Sequence, residues 1–480
     1  MTTLTIDEAS AATRGRTRAP RGAWLPALTL ISLAGCAGFS RDGGFDVVQH
    51  EAVQRQDKRL VWAKTDDDRA KIRTETDALL GHPLSVDDAV QIALLNNRGL
   101  QALYYDLGIA EADVVQAGRL QNPRFSTTRT RSDEDFKYET ALTINVINLL
   151  TMPLALKLER QRFEAAQRQV ANEALRLALD TRRAWYRAVA AQQTAGYYEE
   201  VLEAADAAAE LAARMARAGN MSRRDRLREH AFYADAAAQL ARGRSAALAA
   251  REDLTRLMGL WGEATRFTLP ERLPDLPPGA GDLQNLEAFA LHERLDIQAG
   301  KAHAEGLARS LGLTRATRFI NVLDLGPATV MEQGKEVKKG YEISIELPIF
   351  DWGGARVSRA QAQYMQALDR IAQTAVNARS EVRVSYAAYR DTYEVAKHYR
   401  DEIVPLRKQI ADENVLRYNG MLIGVFELLA DAREQVLAVN GYIEALRDYW
   451  LAHTDLQQAL GGRLPPAAEV APPATQPRRG

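Results

Sequence analysis

Seven histidines, at positions 50, 82, 230, 292, 303, 398 and 453, are scattered without the spacing of a metal centre. The chain holds no glycine-rich phosphate loop and no nucleophile elbow, so nothing sets up phosphoryl or acyl transfer. Catalysis is therefore not expected, and neither is a cofactor or a resident metal. A single cysteine among 480 residues excludes an internal disulfide framework and any Cys-rich cluster. What is left with chemical character is one thiol, Cys36, two acids near each other, Glu427 and Asp431, and two turns built from Gly, Asn, Met and Arg. With 62 basic against 63 acidic side chains the formal charge is −1, which argues against a nucleic-acid partner held by excess positive charge.

The thiol has an informative setting. Arg14, Arg16, Arg18 and Arg21 precede an apolar run of 11 residues from Ala23 to Leu33, and Ala34-Gly35-Cys36 follows. Basic region, apolar core and small residues at the cut form a secretory signal over 1–35, too short to span a bilayer. Leu33-Ala34-Gly35-Cys36 resembles the bacterial lipobox, in which cleavage makes the cysteine residue one and its sulfur carries a diacylglycerol. The other reading is a free thiol behind an ordinary secretion signal. The basic region begins only after Asp7 and Glu8, which leaves room for a start codon downstream of Met1. Ala37, where an aspartate would favour inner-membrane retention, points to the outer membrane. Beyond the N-terminus no run of about 18 apolar residues exists, so no ordinary helical span is expected.

The elements that must position the turns form a duplication. Arg183 and Tyr186 match Arg383 and Tyr386, Arg217 matches Arg417, and Met221 matches Met421, all at an offset of 200. Two structural repeats are read, 84–262 and 286–462, each ordered helix, two strands, long helix, turn, long helix. An extended linker is expected over 36–83, a Pro/Gly-rich linker over 263–285, and a disordered tail over 463–480. The first rod should open after Pro153, a favoured helix-opening residue, and run to Gly219. Its seam recurs every seventh residue (Leu156, Phe163, Val170, Leu177, Ala184, Ala191, Tyr198, Ala205, Ala212), and the second rod repeats this with Leu368, Ala375, Val382, Tyr389, Ala396, Ile403 and Ile410. A recurrence kept this long is a coiled-coil signature. Pro405 is expected to bend the second rod.

Between helices lie strand pairs, at 124–131 and 138–150 in the first repeat and 318–325 and 341–347 in the second. Tyr341, Ile343, Ile345 and Leu347 alternate with Glu342, Ser344 and Glu346; Leu142, Ile144 and Val146 alternate with Thr143 and Asn145. Strands of ~9–11 residues with a period of two suit a membrane barrel as well as a half-buried sheet. Four strands cannot enclose a lumen and open edges do not persist in lipid, so strands in a membrane require several chains sharing one barrel. Three chains would supply twelve strands.

Taken in order, these features resemble the TolC-type outer-membrane factors of tripartite efflux systems, lipid-anchored branch. Leu84-Ser-Val-Asp-Asp-Ala-Val-Gln-Ile-Ala93 with Asn96-Asn97 is similar to the opening of that family's first repeat, and Glu293-Arg-Leu-Asp-Ile297 to the opening of its second. Leu347-Pro-Ile-Phe-Asp-Trp-Gly-Gly-Ala-Arg356 is similar to its passage from barrel strand to helix. Arg98 and Leu295 stand where the family usually has Pro, and the first exit, Leu149-Leu-Thr-Met-Pro153, lacks the Asp-Trp-Gly-Gly of the second.

The resemblance implies a mainly α protein with a membrane β part: a homotrimer with a twelve-stranded barrel in the outer-membrane lipid of a Gram-negative bacterium and a helical tunnel through the periplasm. It implies a periplasmic adaptor (membrane fusion) protein and an inner-membrane pump as partners, and passive conduction of exported metal cations or drugs. Gly219, Met221, Ser222, Gly420, Met421 and Leu422 would form the adaptor-docking tips. Glu427, on the family's acidic position, with Asp431 one residue past the second such position, would form a periplasmic gate ringed by carboxylates, latched by Arg417 or Tyr418. Two other readings remain at the sequence level, a non-conducting coiled-coil lipoprotein and a periplasmic adaptor; two hairpins and two strand pairs disfavour the adaptor.

Overall fold

The computed structural model describes residues 38–132, 135–281, 283–319 and 322–465; the signal segment 1–35, Cys36 and residues 466–480 of the tail lie outside the described residues. Two N-terminal helices, α1 (Phe45–Gln56) and α2 (Asp66–Leu80), precede α3 (Val86–Asn96) and α4 (Arg98–Ala117). Strands β1 (Arg124–Arg131) and β2 (Phe136–Asn145) lead into α5 (Val146–Arg217) and α6 (Arg223–Met258). The order then recurs as α7 (Leu286–Glu293), α8 (Leu295–Ala316), β3 (Leu323–Glu332), β4 (Lys338–Ile345), α9 (Gly354–His398), a π turn (Tyr399–Ile403), α10 (Val404–Asn419) and α11 (Val425–Ala459).

Helix α5 has 72 residues, on the order of 110 Å at ~1.5 Å per residue. It starts at Val146, not after Pro153, because the Asn145 side chain accepts the Asn148 N–H at 2.9 Å and caps the helix there. The expected strand to residue 150 therefore stops at 145, and Pro153 sits inside the helix. The second strand pair is displaced as well, to 323–332 and 338–345. Along the α5 seam Val170, Ala184, Ala205 and Ala212 are buried; along the second rod Val382, Tyr389 and Ala396 are buried while Leu368 and Ile410 are exposed.

At Pro405, where a bend is expected, a π turn lies just before the proline, a widened turn that accommodates extra chain within a helix. Tyr399 of this turn lies so close to Gly441 on α11 that a Cβ there would sit 2.8 Å from its ring.

The N-terminal segment is not an extended linker. Thr65 and Asp68 form a reciprocal capping box that starts α2. Phe45 packs edge-on to Tyr104 of α4 at 4.9 Å, and Arg55 donates to the Gly461 carbonyl at 2.7 Å, strapping the start of the chain to its end. The inter-repeat segment is likewise packed: Phe267, Leu269, Leu273 and Leu276 are buried in the main core with Trp185, Val189, Ile443, Leu446 and Tyr449. Tyr186 of α5 stacks on Trp450 of α11 there, 5.3 Å between centroids.

Candidate functional site

The four strands form one antiparallel sheet in the order β1-β2-β3-β4, so β1 and β4 are its edges. Cross-strand partners share a face, and the registers sort the residues cleanly. One face carries Phe125, Leu142, Ile144, Leu325, Tyr341, Ile343 and Ile345; the other carries Ser126, Glu139, Thr143, Asp324, Glu332, Glu342 and Ser344. On β2 the apolar side is the open one: Leu142 is 45% and Ile144 47% exposed, while Ala141 and Thr143 are 6% exposed. Water-soluble sheets bury the apolar face; here β2 does the reverse, while β1 and β4 are exposed on both faces.

At the far end of the rods each hairpin reverses through a Schellman turn. In the first, Asn220 N–H reaches the Met215 carbonyl at 2.9 Å and Gly219 takes φ 78°. In the second, Leu422 N–H reaches the Arg417 carbonyl at 2.8 Å, Met421 N–H reaches Tyr418 at 2.9 Å, and the positive φ, 58°, falls on Met421. Gly420 beside it has φ −81°. Met421 thus stands where Gly219 stands, at an offset of 202 instead of 200, and the π turn lies on the stretch that gained the two residues.

This register pairs the caps too. Ser222 caps α6 and accepts the Asp225 N–H at 3.1 Å; Gly424 caps α11, with Glu427 in the place of Asp225. Their surroundings differ. The Ser222 hydroxyl, with Arg224 and Arg228 nearby, holds the Asp225 carboxyl below the usual carboxylate range. Glu427 is exposed, and among the described residues no ion pair reaches it. Asp431 accepts a hydrogen bond from Asn414 across the hairpin, a partner with no signal in the sequence. Arg417 pairs with Glu413 on its own helix at 3.4 Å, and Tyr418 is exposed; neither touches the two acids, so the structure does not bring the four gate residues into one cluster.

Of the tip residues, Met421 is 94% and Leu422 77% exposed, whereas Met221 is half-buried. Among the described residues no group of three or more metal-binding side chains occurs, and no helix is long and apolar enough to cross a membrane.

No family model matches the chain. The cobalt-zinc-cadmium resistance protein CzcC of Cupriavidus metallidurans is 22% identical over 403 residues, 79% of this chain and 90% of its own. The outer-membrane channel OprN aligns with TM-score 0.66 and 20% identity, over 81% of this chain and 92% of that one. The outer membrane protein VceC of Vibrio cholerae aligns with TM-score 0.64 and 15% identity, over 84% and 98%. No enzyme is among these three. The chain thus shares its overall fold with solved outer-membrane proteins, OprN and VceC among them.

Proposed function

We propose that the chain is the outer-membrane channel component of a tripartite efflux system, a homotrimer that conducts exported solutes passively across periplasm and outer membrane. The observation that carries this reading is the inverted sheet: apolar side chains gathered on one face and polar ones on the other, the apolar face being the open one at Leu142 and Ile144 of β2, and two unpaired edges. Edges exposed to lipid are costly, and joining β4 of one copy to β1 of the next removes them. Twelve strands then enclose a lumen lined by the polar face. The repeats 84–262 and 286–462 each contribute one hairpin to the barrel and one rod pair to the tunnel.

The hairpin tips dock a periplasmic adaptor fed by an inner-membrane pump, with Gly219, Met221, Ser222, Gly420, Met421 and Leu422 at the contact. Three copies of Glu427 ring the periplasmic mouth and favour cations. CzcC, named for resistance to cobalt, zinc and cadmium, supports divalent metal ions as cargo. Cys36 carries the lipid anchor on the periplasmic side.

The test is conductance of the purified chain in planar bilayers. A cation-preferring channel is expected, and Leu142→Arg, which puts a charge on the lipid side, should abolish insertion at a cost of about 2–4 kcal/mol. A purified trimer that never conducts, even with its tips loosened, refutes the channel.

A further inference from the structure

The charges of the sheet are divided between its faces in a way the channel reading does not require. All four acids on the strands, Glu139, Asp324, Glu332 and Glu342, lie on the polar face. There Lys137 pairs with Glu139, and Lys338 pairs with Glu332 at 3.3 Å. The apolar face has three charged residues, Arg129, Arg131 and Lys339, all basic and all exposed. Among the described residues no acid pairs with them; Arg129 instead lies over the Tyr138 ring at 5.3 Å.

Their level on the sheet is as specific as their sign. The apolar rows run from the helix end, Leu323 beside Ile345, through Leu325 beside Ile343, to Phe125 beside Leu142. Lys339 follows in the threonine row (Thr127, Thr140, Thr329), then Arg129 beside Tyr138, and Arg131 beside Phe136 at the hairpin loops. From the Leu323 row to the Arg129 row is four two-residue steps, about 27 Å along the strand. With a barrel tilt of ~40° that is about 20 Å of height, close to the ~25 Å apolar band of a membrane barrel. Phe136 and Tyr138, edge to face at 5.6 Å, mark the same level with aromatic rings, as at a membrane interface.

Resting on the barrel reading above, we infer that Arg129, Arg131 and Lys339 form a binding site for the phosphorylated glycolipid of the outer leaflet. Arg129 and Arg131 are on the β1 edge and Lys339 on the β4 edge, so each junction between copies gathers three cations from two chains. Guanidinium groups take phosphate oxygens in bidentate fashion, and the apolar rows beneath receive the acyl chains. On the polar face, by contrast, the two lysines are answered by Glu139 and Glu332, which leaves no such cluster of unpaired cations beside acyl chains.

The test uses the full-length purified trimer in detergent, titrated with bisphosphorylated lipid A, with its dephosphorylated form and with phosphatidylglycerol, bound lipid being counted by native mass spectrometry. The phosphorylated glycolipid should bind saturably, roughly 10- to 100-fold tighter than the dephosphorylated form. The triple variant Arg129→Gln, Arg131→Gln, Lys339→Gln should lose that preference, while Lys137→Gln with Lys338→Gln, on the other face, should keep it. Equal affinity for the two glycolipids, equal binding by the triple variant, or tighter binding of phosphatidylglycerol overturns the inference. Conductance is measured on the same preparations: a conducting trimer without phosphate preference overturns this site alone, and one that never conducts overturns the channel reading with it.

Discussion

The carboxylate of Glu229 on α6 accepts a hydrogen bond from the guanidinium of Arg433 on α11 at 2.8 Å, with only 2% of the Glu229 side chain open to solvent. The same guanidinium lies over the Phe232 ring at 4.6 Å, and Val436 one turn on packs against the cluster of Val201, Ala205 and Ala236. This pair fastens α11 of the second hairpin to α6 of the first. Removing one partner leaves a buried charge uncompensated, so Arg433→Met should cost about 1–3 kcal/mol after allowance for the partly exposed guanidinium. In bilayers it should also raise the leak conductance of the closed trimer. A double-mutant cycle with Glu229→Gln isolates the pair term; a conductance that does not change would place the pair outside the gate.

Met421 separates the two roles of a hairpin tip. A non-glycine residue at φ 58° stores strain, so Met421→Gly should stabilise the hairpin by about 1 kcal/mol. Gly219→Ala should destabilise the other hairpin by a similar amount, about 1 kcal/mol. Because the same Met421→Gly change removes an exposed thioether, adaptor affinity should fall while the unfolding midpoint rises. Both moving together would mean that the turn, and not its side chain, sets docking.

The acids in the first turns of α6 and α11 give a paired comparison. Glu427→Gln should raise anion permeability in single-channel recordings, because among the described residues no cation pairs with it. Asp225→Asn should leave ion preference unchanged, since Arg224 and Arg228 already balance that carboxylate locally. An identical shift from both variants would sink the carboxylate ring at Glu427.

His453 predicts a dependence on pH. It is enclosed by Tyr389 of α9 and by Tyr449 and Trp450 of its own helix, with Arg182 of α5 close by. Burial, helped by that cation, pushes its pKa down to about 4. The unfolded chain takes up a proton near pH 6.5 that the folded chain refuses until about pH 4, so stability should fall as pH drops through that window and level off below it. The unfolding midpoint at pH 7.5 against pH 4.5 measures this, and His453→Phe should flatten the difference.

The rods were legible because a seven-residue recurrence over Val170, Ala184, Ala205 and Ala212 needs nothing but the local period. The inverted sheet was half legible: alternation at Tyr341, Ile343 and Ile345 is written in the chain, but the open side emerges only from the register. Boundaries failed where a single side chain decided them. Asn145 ends β2 by capping α5, and no propensity separates 146–150 from a continuing strand. The offset of 200 that pairs Met221 with Met421 hides the register of the second tip, because the positive φ of Gly219 recurs at Met421, a residue type that gives no such signal. The Glu229–Arg433 pair spans 204 positions and leaves no local trace.

The two halves leave the sheet differently. Asn145 is both the last residue of β2 and the cap of α5, so strand and rod share one joint with no slack. Between β4 and α9 lie residues 346–353, ending in Gly353 at φ 72°. Eight residues of irregular chain thus stand between strand and rod in the second half where the first half has none, and Arg318 ties them back through the Trp352 carbonyl at 3.0 Å. On the barrel reading proposed above, the first rod is continuous with its strand, while the second rod can change its angle to the sheet only by rearranging that eight-residue segment.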